Sequence, residues 1–214
     1  MFDPSDRGQF LNLAGIAEGS LIIIAMVAGW WVGVHPLETL RWDGRDVLLG
    51  AAAALPIFGL FLLGHRFPVG PLLRIKRFLI EMLGPSLAAC RWYDLVLLSL
   101  LAGVSEEALF RGFLQRWFEA KLGLAGGLGV ASVLFGLAHV ITPTYAVLAT
   151  IAGAYLGALL HITQTPNLLV PIVTHALYDY LAFLVVVRSY RRERQADSDS
   201  QTTSSDAEPT DSDA

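Results

Sequence analysis

Six long apolar segments constrain what this 214-residue chain can fold into. A helix that rises 1.5 Å per residue needs roughly 20 apolar residues to cross about 30 Å of hydrocarbon. The segments that approach this length are residues 10–34, 47–63, 93–118, 124–141, 145–161 and 168–187. Only 16% of the residues are charged, against about 25% in a soluble domain, and the mean hydropathy is +0.55. The sequence therefore predicts an all-α fold, a polytopic membrane helix bundle of about six transmembrane helices.

The polar segments predict how this bundle is organised and oriented. Residues 65–91 mix apolar side chains with five arginines and lysines, which is typical of an amphipathic segment lying in the membrane interface. A second basic cluster, residues 188–194, follows the last span, so the positive-inside rule places both termini in the cytoplasm. We expect an N-terminal hairpin with the interfacial segment over residues 1–92, a four-helix core over 93–188 and a disordered polar tail over 189–214.

Two adjacent glutamates interrupt the third apolar segment. An acidic side chain at the centre of a bilayer costs about 2.5 to 3.5 kcal/mol on insertion scales. It is therefore tolerated mainly where it pairs with another polar group or takes part in the function. Glu107 and Arg111 are four residues apart, on one helical face, and can neutralise each other. Glu106 points roughly 100° away and lacks that partner. We therefore interpret Glu106 as a candidate general base and Glu107 with Arg111 as its support.

Two histidines occur in the later apolar segments. His139 follows Phe135 by four residues, and His175 precedes Asp179 by four. Each pair shares one face of a helix, so both histidines are predicted to face the interior of the bundle. The single cysteine, Cys90, excludes an intramolecular disulfide and a multi-cysteine zinc site.

These residues resemble three motifs of the CPBP family of intramembrane proteases, which includes the type II CAAX prenyl endopeptidases. The first family motif is a diglutamate followed, after three residues, by an arginine, and residues 106–111 match it. The second is a phenylalanine and a histidine with three residues between them, as in 135–139. The third is a histidine followed, after three residues, by asparagine or aspartate, as in 175–179. Three such motifs in order on successive apolar helices are a specific signal. The resemblance implies peptide hydrolysis in or at the membrane.

Two mechanisms are compatible with this resemblance. In one, Glu106 with His139 activates a water while His175 and Asp179 stabilise the oxyanion and orient the carbonyl. In the other, the two histidines and a carboxylate hold a divalent ion such as zinc, whose bound water is the nucleophile. We favour the first, and metal dependence stays open.

Other functional classes also remain open. Buried Glu, His and Asp side chains on several helices occur equally in proton or cation transporters, and a protease-like scaffold that does not cut is a third alternative. As partners we expect the lipid bilayer and a protein or peptide substrate, prenylated or otherwise membrane-associated, and no nucleic acid. The expected location is the cell membrane.

Overall fold

The protein folds as an all-α bundle. The structure, a computed structural model, describes residue 3 and residues 6–206. Its α-helices are α1 (Arg7–Val32), α2 (Gly44–Arg66), α3 (Pro71–Phe78), α4 (Gly84–Ala89), α5 (Trp92–Glu107), α6 (Arg116–Ala138), α7 (Pro143–Leu159) and α8 (Leu169–Asp206). Two π-helical segments, π1 (Leu79–Leu83) and π2 (Ala108–Gln115), link α3 to α4 and α5 to α6. The predicted fold class is confirmed.

The apolar helices correspond to the predicted spans. Within the described residues, four helical stretches have the length and composition to cross a membrane: Arg7–Val32, Gly44–Arg66, Trp92–Ala138 and Leu169–Asp199. The third stretch, in which α5, π2 and α6 follow one another, joins the predicted spans 93–118 and 124–141, and its non-helical residue Gly123 (φ 74°, ψ 172°) lies between them. The shorter α7 corresponds to the fifth predicted span.

The predicted interfacial segment folds as α3, π1 and α4. Its apolar side chains Ile75, Ile80 and Leu87 are buried, whereas Arg74 and Arg77 are exposed. Cys90, which follows this segment, is buried among apolar side chains. The amphipathic pattern of the sequence therefore corresponds to one face packed on the bundle and one basic face outside it.

The last helix runs into the predicted polar tail. The sequence predicts a disordered tail over residues 189–214, and α8 continues to Asp206, while residues 207–214 lie outside the described residues. The polar composition of this extension leaves it little apolar surface with which to pack on the bundle. The disorder of the tail stays a prediction.

Close packing of α5 against α8 sets the position of the polar residues. A Cβ at Gly103 would lie 2.9 Å from the Cβ of Ala176 and 3.0 Å from its backbone nitrogen, so only glycine permits this approach. Gly103 precedes the two glutamates by one helical turn, and Ala176 follows His175. The contact therefore brings the diglutamate of α5 beside the histidine of α8.

Candidate active site

A buried ion pair forms between Glu107 and Arg111, as the i, i+4 spacing predicts. Arg111 Nη1 donates to Glu107 Oε1 at 2.7 Å, and Nη2 donates to the backbone oxygen of Gly153 on α7 at 2.9 Å. Both side chains are almost fully buried, and the guanidinium carbon lies 4.4 Å from the centre of the Phe135 ring. The pair therefore ties α5 and π2 to α7.

His175 is held by the same carboxylate. Its Nδ1 lies 2.8 Å from Glu107 Oε1. A carboxylate paired with arginine can only accept, so Nδ1 carries the hydrogen. The opposite ring nitrogen, Nε2, lies 3.5 Å from Asp179 Oδ2, the predicted i+4 partner. His175 therefore has a fixed ring orientation and one nitrogen left for chemistry.

Glu106 pairs with the other histidine. His139 caps the C-terminus of α6, and its Nδ1 lies 2.8 Å from the backbone oxygen of Phe135. Because a carbonyl oxygen can only accept, Nδ1 carries the hydrogen and the neutral ring has a lone pair on Nε2. That Nε2 is 3.5 Å from Glu106 Oε2, and this oxygen is buried without a hydrogen-bond partner among the described residues. Two acceptor atoms thus face each other without a donor between them.

Both histidines border an apolar cavity. A space of about 410 Å³ is lined by Phe135, His139, His175 and Asp179, together with the rings of Tyr145 and Tyr178. Apolar side chains from α2, the interfacial segment, α7 and α8 form the remaining wall. The cavity therefore offers an apolar binding space with the polar groups gathered on one side, as expected of a ligand site.

Two further residues lie near this site. Glu18 on α1, which the sequence left open as an interfacial group or a partner of the site, accepts a hydrogen bond from the hydroxyl of Ser105, the residue before Glu106. Tyr145 lies at the start of α7, where its backbone N–H is capped by Thr142 Oγ1 at 3.1 Å. An acidic residue inside an apolar span signalled Glu18, but no local pattern signalled Tyr145.

Two other histidines, His65 and His161, have partners of their own. His161 Nε2 lies 2.9 Å from Glu119 Oε1, away from the cavity. His65 lines the cavity but lies 2.9 Å from the hydroxyl of Ser189. Neither contacts Glu106 or Glu107.

The side chains do not fit a metal site as they are placed. Over residue 3 and residues 6–206, no three His, Cys, Asp or Glu side chains are close enough to hold one ion. His139 and His175 each use Nδ1 in another contact, and their Nε2 atoms face different carboxylates, Glu106 and Asp179. Metal dependence therefore stays a prediction that removal of metal tests.

Comparison with known proteins supports the resemblance. Residues 88–181 match the family model described as type II CAAX prenyl endopeptidase Rce1-like. This segment contains all three motifs and is consistent with a CPBP family protease. No curated protein and no solved structure matches the chain.

Proposed function

We propose that the protein is an intramembrane endopeptidase that hydrolyses a peptide bond of a membrane-associated substrate, of the prenylated CAAX type. The observation that carries the proposal is the pair of facing acceptors, Glu106 Oε2 and His139 Nε2, 3.5 Å apart beside the cavity. A water molecule can donate one hydrogen to each of them and present its oxygen lone pair to a carbonyl carbon. The Rce1-like match over residues 88–181 supports a hydrolase of this class.

The first chemical step is attack by this water. Its oxygen forms a bond to the carbonyl carbon, its proton passes to Glu106, and the carbonyl π electrons move onto the carbonyl oxygen. His175 Nε2–H, when the ring carries both protons, donates to this oxyanion. Asp179 is an acceptor when ionised, so its proposed role is to hold the His175 ring rather than to donate.

The second step breaks the carbon–nitrogen bond. The electrons on the oxyanion re-form the carbonyl, and the leaving nitrogen takes the proton that Glu106 received. Glu106 thus acts first as base and then as acid and returns to its starting state. Glu107 and Arg111 do not exchange protons in this scheme, and they fix the His175 ring from outside the cavity.

The proposed setting is the cell membrane, with both termini in the cytoplasm. The exposed Arg74 and Arg77 of the interfacial segment and the arginines that follow residue 187 on α8 support this orientation. The catalytic cavity borders the interfacial segment. A substrate carried on the cytoplasmic membrane surface would enter from that side.

The test is cleavage by purified protein in detergent. The probe is an internally quenched peptide that ends in S-farnesylcysteine and three further residues, and its unprenylated twin tests the need for the lipid. Glu106→Gln removes the base and should lower turnover by about 10² to 10⁴. The matched control is Glu119→Gln, because Glu119 also faces a histidine, 2.9 Å away, but outside the cavity. That variant should cleave like the wild type.

Contrary results would separate the alternatives. If Glu106→Gln cleaves at the wild-type rate, Glu106 is not the base. If wild-type protein cleaves neither peptide, a comparison of membrane proteomes from cells with the wild type and with Glu106→Gln should still reveal one bond that only the wild type cuts. No such bond, together with proton or cation flux in liposomes, would replace the protease with a transporter.

A further inference from the structure

The proposed mechanism leaves the oxyanion short of hydrogen-bond donors. Of the polar groups at the cavity, His139 uses its Nδ1–H on the Phe135 carbonyl and His175 uses its Nδ1–H on Glu107. Ionised Asp179 and Glu106 only accept. His175 Nε2 is then the one donor among the predicted site residues, whereas sites that stabilise an oxyanion commonly direct more than one donor at it.

Two tyrosines at the cavity have hydroxyl groups that are free to donate. Tyr145 and Tyr178 both line it, and neither hydroxyl makes a hydrogen bond to another described residue. By contrast, the hydroxyl of Tyr155, which also lines the cavity, donates to the backbone oxygen of Ala53 at 2.8 Å. A tyrosine suits such a wall because its ring packs with apolar neighbours while its hydroxyl stays available.

Tyr145 is the better placed of the two. It follows His139 by six residues, across the short turn between α6 and α7, and the Thr142 cap fixes the backbone at the start of α7. The ring of Tyr178, by contrast, packs edge-on against Phe61 of α2, with the ring centres 6.1 Å apart. Tyr145 is therefore the cavity tyrosine that the fold places next to His139, the partner of the proposed base, on the cavity wall that His175 and Asp179 also line.

We propose that Tyr145 is a catalytic residue whose hydroxyl donates the second hydrogen bond to the oxyanion, opposite His175 Nε2. This inference rests on the proposed function. In the attack step the hydroxyl keeps its proton and its hydrogen bond strengthens as the π electrons reach the carbonyl oxygen. Tyr145 lies within the segment that matches the family model but outside the three motifs.

The test measures Tyr145→Phe on the peptide that the wild type cleaves, with Tyr180→Phe as the matched control, because Tyr180 packs in an apolar cluster of α8 and does not line the cavity. Both changes remove one oxygen and keep the ring, so both proteins should unfold at the wild-type temperature. Tyr145→Phe should lower kcat by about 10² to 10³, the usual effect of losing one oxyanion donor, with KM unchanged. Tyr180→Phe should keep the wild-type kcat, and Tyr178→Phe, the same change at the other cavity tyrosine, should lower kcat less than Tyr145→Phe does.

A second readout needs no turnover. In a phosphinate analogue of the cleaved peptide, the anionic tetrahedral oxygen takes the place of the oxyanion. Tyr145→Phe should weaken binding of this analogue by the same factor by which it lowers kcat. In the Glu106→Gln background, where the peptide stays largely uncut, adding Tyr145→Phe should leave binding of the peptide unchanged.

The outcomes distinguish this inference from the proposed function. A wild-type kcat in Tyr145→Phe, or a raised KM with an unchanged kcat, would overturn the role of Tyr145 while cleavage by the wild type still supports the protease. An equal loss in Tyr178→Phe would overturn the choice of Tyr145. A wild type that cuts neither the test peptides nor any bond in the membrane proteome overturns both.

Discussion

Glu107 on α5 forms charged contacts with side chains of π2 and α8. Its Oε1 accepts from Arg111 of π2 and lies 2.8 Å from His175 Nδ1 of α8, while Arg111 also reaches the backbone of α7. Its Oε2 is buried without a hydrogen-bond partner among the described residues. A buried charge of this kind is tolerated because its neighbours compensate it, so its removal and that of its partner should be coupled.

The first prediction at the residue scale is a double-mutant cycle on this pair. Glu107→Gln or Arg111→Met alone leaves one buried charge unpaired and should destabilise the protein by about 3 to 5 kcal/mol. The double variant should lose clearly less than the sum, as measured by thermal unfolding in detergent. The control is Glu38 with Arg116, also 2.7 Å apart but exposed, which should show no resolvable coupling. Additive losses for Glu107 and Arg111 would contradict the pairing.

Local spacing predicts some of the site contacts and not others. Glu107 with Arg111 and His175 with Asp179 are i, i+4 neighbours, so the helix alone brings them together. The contact of His175 with Glu107 joins residues 68 positions apart, and that of Ser105 with Glu18 joins residues 87 apart. Such contacts depend on how far one helix is shifted along another, which side-chain packing decides.

At the scale of elements, the hairpin of α6 and α7 places His139 and Tyr145 on the cavity. The two helices pack so closely at Gly136 that a Cβ there would overlap the Thr150 hydroxyl and approach the backbone oxygen of Ala146 to 2.6 Å. The turn between the helices spans only residues 139–142. Any increase in the distance between α6 and α7 therefore moves His139 relative to Glu106 on α5.

The prediction for this hairpin compares two glycines of the same helix. Gly136→Ala should lower the unfolding temperature and the cleavage rate, because the Ala146 backbone oxygen cannot move without shifting α7. At Gly129 a Cβ meets nothing within 4 Å, and alanine is favoured over glycine in a helix by up to about 1 kcal/mol. Gly129→Ala should therefore be neutral or stabilising. Equal unfolding temperatures for both variants would show that this close packing is unimportant.

The helices could be predicted wherever the length of an apolar segment determines that it is a helix. The apolar segments of the sequence are helices, and the non-helical Gly123 (φ 74°) falls between the predicted spans 93–118 and 124–141. By contrast, the π-helical geometry of residues 108–115 was not predicted, since its composition does not differ from that of an α-helix. π-Helical turns are often found at functional sites, and this one directly follows the diglutamate.

At the scale of the whole molecule, the prediction is that cleavage requires neither an ion gradient nor a bound metal. Detergent-solubilised protein should cleave peptide without an ion gradient, and activity should persist after treatment with a chelator and removal of metal. The reason is that Glu106 and His139 can activate a water by themselves, and the described side chains form no three-ligand group. Loss of activity on stripping, with recovery on adding zinc, would instead establish a metal-bound water as the nucleophile.

The contact between Glu18 and Ser105 has a consequence for how this protein can be trimmed or transplanted. Residues 88–181 contain all the motif side chains, yet α1 supplies the carboxylate beside the diglutamate, and α2 supplies the Ala53 carbonyl that holds Tyr155. Excising that segment would expose polar groups that the first two helices now satisfy. The segment that matches the family model is thus not a portable module, and chimeras between relatives should exchange it together with its own N-terminal hairpin.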